Sequence, residues 1–84
     1  MTINIKFFGQ LRDLVKLSET EIEVREETTA GDLVGILGER FPNIREHMQT
    51  VSIAVDNEYA AKKSELYEGC EVALIPPISG GSGK

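Results

Sequence analysis

The sequence predicts an α+β fold in which one main helix packs on a mixed sheet of four to five strands. Three observations predict it. The opening stretch "TINIKFF" alternates apolar and polar residues, "AGDLVGILGERF" repeats its apolar residues at three- and four-residue steps, and the closing stretch "CEVALI" is rich in β-favouring residues and halts at a proline.

In chain order, residues 2–8 set Ile3, Ile5 and Phe7 on one side and Asn4, Lys6 and Phe8 on the other, the period of a half-buried strand. The connection "GQLRDLVKLS" reads equally as helix or loop. "TEIEVR" (20–25) alternates again, with Ile22 and Val24 sharing a face, so the first two strands form a hairpin. Thr29 then precedes residues 30–41, where Leu33, Ile36, Leu37 and Phe41 mark one helical face and Asp32 completes a start resembling a capping box. Gly35 and Gly38 inside this helix each cost about 1 kcal/mol relative to alanine, so packing against the sheet has to stabilise it. Pro42 ends it.

Residues 51–55 ("VSIAV") read as a strand, Asp56 and Asn57 as a turn, and residues 58–60 as a very short partner strand. "KKSELYEG" crosses over to the last strand at residues 70–75, which Pro76 terminates because it lacks the amide hydrogen a ladder needs. The order is ββαβββ. Two hairpins around one helix, with the last strand free to pair beside the first, describe a β-grasp, or ubiquitin-like, fold. A ferredoxin-like arrangement with a second helix fits the same pattern.

With 84 residues the chain makes one domain, expected at 1–77, followed by a flexible tail at 78–84. Fourteen acidic against nine basic residues give a net charge of −5. That balance disfavours nucleic-acid binding, which needs a basic face, and suits an electropositive protein partner. The single cysteine, Cys70, excludes an internal disulfide or a cysteine-only zinc site and points to a reducing, cytoplasmic setting. Neither a signal peptide nor a membrane span is legible. His47 has no ligand partner at a metal-binding interval and is placed on a surface loop. The run Glu19, Glu21, Glu23, Glu26 and Glu27 reads as a solvated face.

Two segments resemble a known family. "KFFGQLRDLV" is similar to the "FFA.LRE" signature, and "LYEGCEVALIPPISGG" to the "L.DGDEVA..PPV.GG" ending, of the MoaD/ThiS-type ubiquitin-like sulfur carriers. The likeness is strongest to the MoaD branch, which supplies the small subunit of molybdopterin synthase, and it covers residues 2–81. Cys70 stands where the family usually has Asp, and "SGK" follows the diglycine.

The resemblance implies a carrier, not a catalyst. An E1-like adenylating enzyme would use ATP to activate the carboxylate of Gly81, which then becomes a thiocarboxylate; the carrier binds no cofactor itself. The large subunit of molybdopterin synthase would be the second partner. Gly80 and Gly81 make the tail narrow enough to enter another protein's cleft, and Pro76 and Pro77 favour an extended exit of about 3.1 Å per residue. An internal Gly81 has no free carboxylate, so residues 82–84 would have to be removed by a peptidase, unless they are foreign to the natural chain. A docking surface is expected at Phe8, Arg12, Tyr59, Ile75, Pro76, Pro77 and Ile78, the first of these because Phe8 and Ile75 lie off the core parity of neighbouring strands. Delivery of sulfur to thiamine, cysteine or tungsten-pterin pathways, or attachment of Gly81 to a target lysine, would use the same fold.

Overall fold

A computed structural model describes residues 1–77. The elements run β1 (Thr2–Phe7), α1 (Gly9–Val15), β2 (Glu19–Glu23), α2 (Ala30–Arg40), two 3₁₀ turns (Pro42–Ile44 and Glu46–Gln49), β3 (Ser52–Val55), β4 (Glu58–Tyr59) and β5 (Glu71–Ile75). The sheet order is β2-β1-β5-β3-β4. The central pair β1/β5 is parallel, and the other pairs are antiparallel. This is the β-grasp arrangement, and the ferredoxin-like alternative does not have this order.

Alternation in β1 buries Ile3, Ile5 and Phe7 as the sequence requires, and Ile22, Val72, Leu74 and Ile53 join them on the same face. Across from them lie Ala30, Leu33 and Leu37 of α2, with Leu11 of α1 and Ile44 and Met48 of the 3₁₀ turns closing the sides. Phe7 meets Phe41 edge-on, ring centres 5.4 Å apart, a geometry contributing about 0.5–1.5 kcal/mol beyond burial. Helix α2 begins at a full capping box: the Asp32 N–H donates to Thr29 Oγ1, and the Thr29 N–H donates to the Asp32 carboxylate. It ends at Arg40, where Phe41 leaves helical geometry ahead of Pro42.

The unsettled connection at 9–18 is the main difference from the expected order. It contains α1, so the order of elements is βαβαβββ, with two α-helices among the described residues. Leu11 is fully buried, and Leu14 and Val15 pack against the core at the third and fourth positions after it. Lys16, with φ of +64°, ends the helix in a left-handed turn. Strand ends also shift: β1 stops at Phe7, β2 spans 19–23 with Val24 beyond it, β3 starts at Ser52, β4 has two residues, and Cys70 precedes β5. Asp56 and Asn57 both take positive φ, +50° and +73°, the requirement of a type I′ hairpin turn.

Candidate functional site

The β-sheet has one face on the core and one free, and register fixes what the free face carries. Nearest the chain exit stand Ile75 and Ser52, paired across β5 and β3. Phe8 follows β1 in an extended conformation (φ −126°, ψ 159°), so it continues the alternation one step past the Phe7/Leu74 pair and comes up beside Ile75. The next row reads Glu19, Lys6, Ala73, Ala54 and Tyr59, one residue from each strand. Below it come Glu21, Asn4 and Glu71, then Glu23 and Thr2. The face is therefore apolar near the exit and acidic at the opposite end, with the Lys6–Glu71 ion pair (3.3 Å) between.

Phe8 is 43% exposed and Tyr59 77% exposed, while Ile75 is half-buried. Phe8 and Ile75 thus fall together as parity predicts, and Tyr59 lies on the same face two strands away. Phe8 differs from expectation in belonging to the cap of α1 rather than to β1. Leu17 escaped the sequence reading. It is 41% exposed, and the Phe7 N–H donates to Ser18 O (3.0 Å), carrying the β1/β2 pairing past its named end and bringing Leu17 alongside Phe8. The signal was present: Leu17 is the apolar head of the alternating series Glu19, Glu21, Glu23. Arg12 is exposed on α1 and makes no ion pair among the described residues.

The exit is held by the start of α1. Gly9 has φ of +58°, and a Cβ built on it would lie 3.1 Å from Pro76 Cγ, so the proline ring rests on the bare glycine backbone. Pro77 is exposed. Ile78, Gly80 and Gly81, together with residues 82–84, lie outside the described residues.

Cys70 and His47 take structural roles. Cys70 is buried, and burial, then the Asp56 carboxylate, push its thiol above the ordinary value of 9.0; a protonated, enclosed sulfur is a poor nucleophile. His47 is not on a surface loop. It sits half-buried in the second 3₁₀ turn, its Nδ1 3.2 Å from Gln10 Nε2, linking that turn to α1. Among the described residues no group of three or more His, Cys, Asp or Glu could hold a metal, and no helix is long and apolar enough to cross a membrane.

Comparison with known proteins gives a match to the ThiS family over residues 5–81. The chain belongs to the ThiS family. As a ThiS-family chain it is 36% identical over 80 residues to the molybdopterin synthase sulfur carrier subunit of Mycobacterium tuberculosis, covering 94% of this chain and 96% of that protein. A putative molybdopterin converting factor, subunit 1, from Pyrococcus furiosus superposes with a TM-score of 0.84 at 27% identity, covering 93% and 99% of the two chains. A complex of subunits 1 and 2 of molybdopterin-converting factor from Helicobacter pylori 26695 contains a chain that superposes at 0.70, with 23% identity and coverage of 96% and 100%. That last likeness is one of fold.

Proposed function

We propose that this ThiS-family chain is the sulfur carrier subunit of a molybdopterin synthase, a cytoplasmic protein bearing sulfur as a thiocarboxylate on Gly81. The observation that carries the reading is near-full-length similarity to a curated sulfur carrier subunit of that enzyme. The family match ends at Gly81, leaving residues 82–84 outside it, which supports their removal before loading.

A carboxylate resists substitution until its oxygen becomes part of a good leaving group. In the proposed cycle an E1-like partner catalyses attack of the freed Gly81 carboxylate on ATP, releasing pyrophosphate and forming an acyl-adenylate. Hydrosulfide then displaces AMP to give the thiocarboxylate, whose sulfur bonds to the substrate in the cleft of the large subunit; water then cleaves the acyl C–S bond and restores the Gly81 carboxylate. The carrier holds no cofactor and supplies no acid, base or metal. Its contribution is a body with an apolar face beside a narrow acyl end. Phe8, Leu17 and Ile75, with Arg12 and Tyr59 at the margins, would seat the partner while the segment from Pro76 onward reaches its active site.

Intact-mass analysis of protein from its own cells tests this. The expected product ends at Gly81 with one oxygen replaced by sulfur. Sulfur found on a chain that retains residues 82–84 would overturn the processing step. Full sulfur transfer by a variant with bulky residues at both Gly80 and Gly81 would overturn the carrier role itself.

A further inference from the structure

Two of the four large apolar side chains exposed on the described surface, Tyr59 and Tyr67, line a single notch of about 430 Å³ between β4 and the crossover segment. Tyr59 is 77% and Tyr67 51% exposed. Asp56, Glu58 and Glu65 line the same notch, and none of its lining residues is basic. The one ion pair among the described residues is Lys6–Glu71, so among those residues the three carboxylates have no cationic partner, and Asp56 Oδ1 accepts only the Glu71 N–H (3.0 Å).

The walls are fixed in advance. On one side the type I′ turn sets β4, and the Ala60 N–H donates to Ile53 O. On the other, the crossover is tied to the start of α2, with the Ala30 N–H donating to Ser64 O, the Leu66 N–H to Thr28 O, and a bridge joining Glu65 to Thr29. An aromatic wall on a rigid backbone loses little freedom on binding. Among the described residues no three such groups are placed to hold a metal ion, and the notch that these carboxylates line has room for a larger organic cation.

We propose that this notch receives an arginine side chain of a protein partner. The planar guanidinium stacks on a tyrosine ring while its N–H groups donate to carboxylates, a combination that a compact ammonium matches less well. Charge complementarity also holds for the whole chain, at −5. Tyr59 belongs both to the notch and to the free sheet face, so a partner seated on that face reaches the notch without a separate contact. The inference does not depend on the chemistry of Gly81.

The test is titration of the ¹⁵N-labelled full chain with acetyl-Gly-Arg-Gly-amide at low salt. The lysine peptide and the neutral citrulline peptide serve as comparisons. Saturable amide shifts confined to residues 56–67 are expected, with arginine binding more tightly than lysine and citrulline not binding. Tyr67→Ala and Glu65→Gln, both at exposed side chains, should each weaken binding about threefold with unchanged melting temperature. Equal response to citrulline, or arginine-induced shifts of the same size along the acidic strand β2, would overturn the proposal.

Discussion

Cys70 occupies the position where the sequence signature carries an aspartate, and its surroundings explain how a thiol can stand there. Its side chain is almost wholly enclosed, between the Gly69 turn and β5. Because burial raises the folded thiol's pKa above its ordinary 9.0, the native state retains a proton that the unfolded chain has begun to lose. Stability from this group is complete below pH 9 and declines as pH rises toward the folded value. Urea unfolding at a series of alkaline pH values should show that loss in the parent protein and a shallower one in Cys70→Ala. The residues proposed for docking illustrate what single positions reveal. Phe8 and Ile75 were legible because parity on a strand depends only on the count of residues. Leu17 was legible only in part: alternation assigns it to the face of Glu19, Glu21 and Glu23, but its place beside Phe8 depends on where β2 joins β1, a long-range fact.

At the scale of elements, α2 could be read because eleven residues offer three turns of periodicity and both members of a capping box. Helix α1 has seven residues and one fully buried side chain, too few to separate helix from loop, although Leu11, Leu14 and Val15 have helical spacing. Two of the three glycines of α2 also part company. Gly38 is buried, and a Cβ there would touch Arg45 and Met48, whereas one at Gly35 meets nothing within 4 Å. Gly35→Ala should therefore stabilise the protein by about 1 kcal/mol, through helix propensity alone, measured as a higher urea midpoint with unchanged slope.

Across the whole molecule, the free sheet face is divided between an apolar end and an acidic end, and the apolar end adjoins the exit. Phe8→Arg should weaken association with the proposed large-subunit partner at least about tenfold, read by calorimetry, while shifting folding stability by no more than about 0.5 kcal/mol because the side chain already meets solvent. Unchanged affinity would remove this face from the docking site. The architecture as a whole was legible, since two hairpins and a helix admit few packings once the last strand is placed beside the first.

That last strand has a temporal meaning. β5 is the last strand among the described residues yet lies at the middle of the sheet, between β1 and β3, so the two hairpins made earlier have no strand to join them until it is synthesised. A nascent or truncated molecule lacking residues 71–75 has no centre, and the pairing that completes the sheet spans most of the chain, a topology that folds slowly. The strand that closes the body is also the one that leads directly to Pro76, so the acyl end proposed for Gly81 would be offered to another protein only by a finished fold.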